Sequence, residues 1–350
     1  MLPGVAKRVV LHVGAMKSGT SFIQNVLHRN REVLKEHDVL FAGRRWRQQV
    51  LAVRELIGAG GADQPPLAPD GPWNRLVRGI DQWPGTAVVS MEFLGPRGRD
   101  KIAIIQEAFA GSDLQIVLTA RDLARSLPAM WVESTQNRGV KEWPEFLDSV
   151  RDEDSSPGPG RAFWKHQRLS AMAERWSTAV GHDHFTLVTV PPKGAPPTLL
   201  WDRFAQVAGI PAGLCDLQVR SNPQLDAASA MVLREVNVRL EAAGYDRAQY
   251  DRVVKGILAK QGMVQRARDH EPLGLDERWV RREGRAELKR LDELGLQVVG
   301  DLAELEPRTV PGVHTRKISA EEQRDAAVDG LVFLLQRLMS QDSATTEPEE

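Results

Sequence analysis

The sequence predicts an α/β fold in which a central, mainly parallel sheet is flanked by helices, followed by a helical C-terminal region. Three observations predict it. Short β-branched runs alternate with longer helical patterns over the first hundred residues, as strands joined through crossover helices do. The strand candidates are continuously apolar rather than alternating, which suits strands covered on both faces. A glycine-containing polar turn follows the first of them, and sheets of this kind bind ligands beyond the carboxyl ends of their strands.

Val9, Val10, Leu11 and Val13 form the first buried strand. Phe22, Ile23, Val26, Leu27, Val33 and Leu34 then recur at helical spacing. A short second strand is expected over 38–42, and further strands over 86–91, 114–119 and 185–190, with helices in the intervals. Residues 59–72 and 152–160 are rich in Gly, Pro, Asp and Ser and read as surface loops. Pro128 would break a regular helix, so a restart or kink is expected near Leu127. From Asn222 onward the pattern is mostly helical. Residues 318–339 place Ala327, Leu331, Leu334, Leu335 and Leu338 on one face, a helix expected to dock on the body or on a partner. The expected organisation is one domain over 1–310, helix-rich from about 222, then a C-terminal helix over 311–340 and a disordered acidic tail over 341–350.

The most informative stretch is HVGAMKSGTS, residues 12–21. A turn between strand and helix aims backbone N–H groups and the positive helix end at one point, which suits a phosphate or sulfate. Gly14 and Gly19 free the backbone to close around the anion, and Lys17, Ser18, Thr20 and Ser21 supply charge and hydroxyls. The four residues between the glycines match the spacing of a triphosphate loop, and Ser21 takes its last hydroxyl position. Thr20 stands where that loop carries lysine. A second anchor is Arg121, at the end of the strand in LQIVLTARD, where it should share a crevice with Lys17.

At these residues the chain resembles sulfotransferases that use 3′-phosphoadenosine 5′-phosphosulfate (PAPS). Lys17, Ser18, Gly19 and Thr20 match the K-S-G-T of their phosphosulfate loop, and Met16 replaces the usual proline. Further segments are similar to one bacterial branch: SMEFLG (90–95), LVTVPP (187–192), LWDRFAQVAGI (200–210), SNPQLD (221–226) and VVGDLAEL (298–305). The resemblance implies a P-loop-type three-layer fold. It implies PAPS as co-substrate, adenosine 3′,5′-bisphosphate (PAP) as product, and a 3′-phosphate held by Arg121. The family's serine eight residues later is Ala129 here, so Arg125 and Ser126 are alternative donors, and Arg220 stands in for a late arginine motif. The acceptor implied is a carbohydrate, lipid or other small hydroxyl compound.

Attack by a hydroxyl needs a base. Glu92 is the first choice, since it follows the strand AVVSM and carbohydrate-type members carry a glutamate there. His12 sits within the first strand, where a hydrogen-bonded core histidine is the expected reading, and His28 is a weaker alternative. His182 and His184 lack the companions of a metal site, and no metal is expected. A kinase of small metabolites is the runner-up and a non-catalytic nucleotide-binding protein a third possibility.

The 46 basic and 47 acidic side chains nearly cancel, so no global field recruits nucleic acid or an anionic membrane. Arg44, Arg45, Arg47 and Trp46 form a local basic and aromatic cluster, read as a solvated helix face, with contact to an acidic or lipid-linked acceptor as the alternative. Cys215 is the single cysteine, which excludes an intrachain disulfide framework and fits a reducing compartment. No secretory signal or membrane-spanning run is read, so a cytoplasmic location is expected, with self-association through the C-terminal helix as a further possibility.

Overall fold

The computed structural model describes residues 6–58, 66–153, 157–219 and 224–345. In chain order the elements are β1 (Arg8–Gly14), α1 (Thr20–Arg29), α2 (Arg31–Glu36), β2 (Val39–Phe41), α3 (Trp46–Gly58), α4 (Pro72–Asp81), β3 (Thr86–Ser90), α5 (Arg99–Ala108), β4 (Asp113–Ala120), α6 (Leu123–Gln136), α7 (Trp143–Arg151), α8 (Pro159–Gln167), α9 (Leu169–Val180), β5 (Phe185–Thr189), α10 (Leu199–Ala208), α11 (Ala227–Ala242), α12 (Arg247–Tyr250), α13 (Arg278–Glu293), β6 (Gln297–Val299) and α14 (Ala320–Thr345). The chain divides into two compact units, each gathered from three stretches.

The first unit comprises residues 1–123, 164–222 and 281–307. Its sheet has the order β2-β3-β1-β4-β5-β6, parallel throughout. Strand periodicity sends Val9, Leu11 and Val13 to one face, where they join Leu56, Trp73, Ile80, Ile102, Met172 and Trp176 of α3, α4, α5 and α9. Val10 points to the other face and packs with Ile23, Leu27, Leu34, Trp201 and Phe204 of α1, α2 and α10. Both faces are therefore dry, which explains the unbroken apolar runs. This is the three-layer, P-loop-type arrangement expected from the sequence. Strand β6 escaped that reading, because a three-residue half-buried edge strand carries no run long enough to recognise.

The second unit comprises residues 124–163, 223–280 and 308–350. Its aromatic core runs from Trp131 to Trp143 (5.7 Å between ring centroids), Phe146 (5.9 Å) and Phe163 (6.1 Å). The N-terminus of α7 is closed by a capping box of Glu142 and Glu145, and that of α11 by Asp226, which accepts from Ser229 N. Helix α6 runs from Leu123 to Gln136 through Pro128 with no restart at Leu127. Leu127, Ala129, Met130, Trp131 and Val132 are all buried, and their packing outweighs one lost backbone hydrogen bond. Residues 251–262 wind as a π-type helix.

Helix α14 continues to Thr345, past the expected start of the tail. Of the two dockings expected for its leucine face, the one on the body is not made. Ala326 and Gly330 are buried, whereas Ala327, Val328, Leu331, Val332, Leu335 and Leu338 are exposed. The reason is close approach: Gly330 lies against Leu258, and a side chain at Gly262 would collide with the ring of Phe333. Small residues, rather than the leucines, let this helix lie against its neighbours. Among the described residues no helix is long and apolar enough to cross a membrane.

Candidate anion-binding and transfer site

Strand β1 lies between β3 and β4; from β1 the chain runs to β2 and β3 on one side and then crosses to β4 on the other. That makes the carboxyl end of β1 a topological switch point, and the loop of residues 15–19 stands there. Two backbone positions shape this loop. Gly14 has φ 123°, and a side chain on it would bring its first carbon within 3.3 Å of both Cα and O of Glu92. The bare α-carbon thus lets the residue after β3 lie directly against the base of the loop. Gly19 has φ 84°, and a methyl there would stand 2.3 Å from Leu200 Cδ2 of α10. Lys17 is itself left-handed, with φ 63°, a conformation uncommon outside glycine and one that turns the loop back on itself.

Helix α1 opens at Thr20. Phe22 N and Ile23 N donate to the carbonyl of Gly19 at 3.0 and 3.2 Å. The amides of Thr20 and Ser21, like those at any helix start, have no intrahelical acceptor, and the helix dipole favours an anion beside them. Thr20 is buried and Ser21 exposed.

A buried polar network holds the loop from below. Thr119 Oγ1 of β4 donates to the carbonyl of Gly14 (2.8 Å) and also meets Ser18 Oγ (2.6 Å) and His12 Nε2 (3.0 Å). Ser18 Oγ reaches the carbonyl of Ala15 (2.5 Å), and Ala15 N donates to Thr119 O (2.7 Å). His12 Nδ1 meets Ser90 Oγ at 2.8 Å. One proton assignment satisfies the histidine: Nε2–H donates to Thr119, and Nδ1 accepts from Ser90. Burial pushes the His12 imidazole down to about 3, so it is neutral at pH 7. His12 is a core histidine bridging β3 and β4, and it is not poised to take a proton from a substrate. Ser18 is fully buried with its hydroxyl occupied in this network, so its side chain positions the loop.

Glu92 is half-buried beyond β3. Gln24, a buried residue on α1, spends its two amide hydrogens on Ser90 O (3.1 Å) and Glu92 Oε2 (3.1 Å). This fixes one carboxylate oxygen, and Oε1 has no hydrogen-bond partner among the described residues. Gln24 was not singled out from the sequence. Its signal was a polar residue among Ile23, Val26 and Leu27 on the buried side of an amphipathic helix, one turn after Thr20. His28 lies at the opposite end of α1 and is exposed.

Arg121, just past β4, donates from Nη1 to the carbonyl of Lys17 at 3.1 Å. Gln167 of α8 donates to the carbonyl of Met16 at 2.8 Å. The loop backbone is therefore held on both sides of Lys17. Arg121 and Gln167 also line a small crevice with Asp122 and Glu287. Arg125 and Ser126 belong to the second unit, on the first turns of α6, and Ser126 Oγ is buried with no hydrogen-bond partner. Ala129 is buried on the same helix. Arg220 lies outside the described residues. Arg44, Arg45, Trp46 and Arg47 are all exposed around the start of α3. Among the described residues no three His, Cys, Asp or Glu side chains are grouped as metal ligands.

No protein-family model matches the chain, and no characterised protein matches it in sequence. Among solved structures it is similar to a sulfotransferase from Alicyclobacillus acidocaldarius, at 14% identity and a TM-score of 0.43, over 70% of this chain and 99% of that one.

Proposed function

We propose that this chain is a sulfotransferase that moves a sulfuryl group from PAPS to a hydroxyl of a carbohydrate, lipid or small-molecule acceptor and releases PAP. The observation that carries the reading is the junction of Lys17, Arg121 and Glu92 at one sheet edge. A left-handed Lys17 is bonded through its carbonyl to Arg121, and Gly14 is pressed against Glu92. Two cations and a helix start gather where a doubly phosphorylated nucleotide would lie, with a carboxylate alongside.

In this reading Lys17 and the amides of Thr20 and Ser21 hold the 5′-phosphate. They also steady the charge that builds on the bridging oxygen as its bond to sulfur breaks. Arg121 takes the 3′-phosphate while fixing the loop backbone. Gln24 holds Glu92 Oε2, leaving Oε1 to accept the proton of the acceptor hydroxyl as that oxygen bonds to sulfur. The donor supplies an activated sulfuryl group, and the chain supplies alignment and charge. Thr20 in place of a triphosphate loop's lysine supports sulfuryl over phosphoryl transfer.

Calorimetric titration with PAP, ADP and ATP, each with and without Mg²⁺, tests this without knowledge of the acceptor. Magnesium-independent PAP binding at least ~100-fold tighter than ADP, about 2.7 kcal/mol, is expected. Magnesium-dependent ATP binding with no preference for PAP would make a kinase the better reading.

A further inference from the structure

Helix α14 turns six large apolar side chains away from the residues it packs against. At about 100° of rotation per residue, Ala326, Gly330, Phe333 and Arg337 share one side. That side is the packed one: Ala326 is buried, Gly330 lies against Leu258, the Phe333 ring lies against Gly262, and Arg337 Nη1 donates to Gln261 Oε1 at 3.0 Å. Val328, Leu331, Val332, Leu335, Leu338 and Met339 fall on the opposite side. Their spacing repeats the a, d and e positions of two successive heptads, so they form one continuous strip about three turns long. The strip begins where charge ends: on the turn before it, Arg324 pairs with Glu321 at 3.2 Å and with Asp325 at 3.1 Å.

The six are between 44 and 68% exposed. Aliphatic side chains so exposed present roughly 90 Å² each, so together they show on the order of 550 Å², near the upper limit of the largest apolar patch on a typical monomer. A contact that covers the six on each of two copies removes about 1,100 Å² from water, which clears the ~1,000 Å² that a specific protein interface needs. The rest of this chain does not supply that cover. Among the described residues none closes the strip from solvent. Residues 59–65, 154–156, 220–223 and 346–350 carry no apolar side chain larger than proline, and residues 1–5 offer Met1, Leu2 and Val5 against a strip of six. A lipid surface fits less well, because helices that lie on anionic lipid carry basic side chains along the polar face. Between Ala320 and Ser340 the charged residues are Glu321, Glu322, Asp325 and Asp329 against Arg324 and Arg337. Of these, Asp329 is held by Arg266 and Arg337 by Gln261.

We propose that the exposed face of α14 is a homodimer interface in which the α14 helices of two copies of this chain pack antiparallel across a two-fold axis. A two-fold contact is self-complementary, so one strip serves both sides. Antiparallel packing lays apolar strip on apolar strip and moves the charged turn of each helix beyond the end of the other strip. Parallel packing would instead set two net-negative turns, residues 321–325, side by side. The axis passes between Val332 and Leu335, at the middle of the strip. The interface does not rest on the sulfuryl-transfer reading.

Sedimentation velocity of the full chain over a range of concentrations tests this. The parent is expected to sediment at twice the 38.9 kDa of one copy and to dissociate on dilution. Leu335→Glu and Leu335→Lys should each weaken the dimer at least roughly tenfold, since a charge in an apolar contact loses its water. An equimolar mixture of the two should regain much of that loss, because opposite charges then meet across the axis, and misfolded variants would not rescue one another. Leu51→Glu, on the exposed side of α3, should leave the dimer unchanged. A parent that stays at 38.9 kDa at every concentration, or a dimer indifferent to Leu335→Glu, overturns the proposal. A mixture that associates no better than its components overturns the antiparallel arrangement. A monomer retained on phosphatidylglycerol vesicles through Leu335 would make a lipid surface the occupant instead.

Discussion

Arg121 donates from Nη1 to the carbonyl oxygen of Lys17 across 3.1 Å, so the residue after β4 helps set the backbone of the loop after β1. One side chain is thereby both a ligand candidate and a brace. Arg121→Ala is expected to weaken PAP about 10- to 100-fold, in line with a lost hydrogen bond to a charged group, and to weaken ADP less. Arg121→Lys keeps the charge but not the planar fork, and should recover only part of the loss. Calorimetry on the three proteins checks this. Unchanged PAP affinity in Arg121→Ala would place the 3′-phosphate elsewhere.

Glu92→Gln should leave PAP affinity nearly intact and cut turnover by roughly 10²- to 10⁴-fold, the usual contribution of general-base catalysis. Gln24→Leu should act in the same direction but more weakly, since it frees Oε2 without removing the carboxylate. Single-turnover rates with radiolabelled donor, once an acceptor is in hand, separate the two. Equal turnover in Glu92→Gln and the parent would remove Glu92 as the base.

Thr119→Val keeps shape and removes the oxygen shared by Gly14, Ser18 and His12. Leaving buried polar groups unpartnered is expected to cost about 2–3 kcal/mol, read as a lowered urea midpoint. Thr119→Ser retains the oxygen and should lose much less. PAP affinity should fall in Thr119→Val as well, because Gly14 and Ser18 frame the loop.

Acid should destabilise the fold through two histidines. An unfolded imidazole protonates near 6.5, whereas His12 in the native chain does so only at about 3 and His166 at about 4. Between these values the unfolded state binds more protons, so stability is fully present above pH 6.5 and is lost as pH falls. Each group contributes up to about 1.4 kcal/mol per pH unit. Urea unfolding between pH 7 and 4.5 reads the slope, and His166→Gln should make it shallower. An identical slope in parent and variant would mean that His166 is not held neutral.

Much of the site was legible because it is local. The Gly14 to Thr20 spacing, the placement of Lys17 between a strand and a helix, and Arg121 after a later strand are all matters of short-range sequence. Glu92 could be placed at the sheet edge because it follows a recognisable strand. Gln24, Gln167 and Thr119 were not legible as partners of that site. Each meets it through residues 66 to 151 positions away. The restart at Pro128 and the docking of the α14 leucines on the body did not hold, because propensity and periodicity describe a helix in isolation. Which side of a helix is buried depends on where small residues permit contact.

The sequence by itself determined the layering of the first unit, since apolar runs without alternation must be covered on both faces, and it determined that a glycine- and lysine-bearing turn stands between the first strand and the first helix, since Gly14, Lys17 and Gly19 are near neighbours in the chain. Only the tertiary structure decided the roles of the side chains around the loop. Hydrogen bonds and charge act within a few ångströms of space, whatever the distance along the chain. Burial therefore made His12 a neutral bridge, turned Ser18 into a brace and set Gln24 against Glu92.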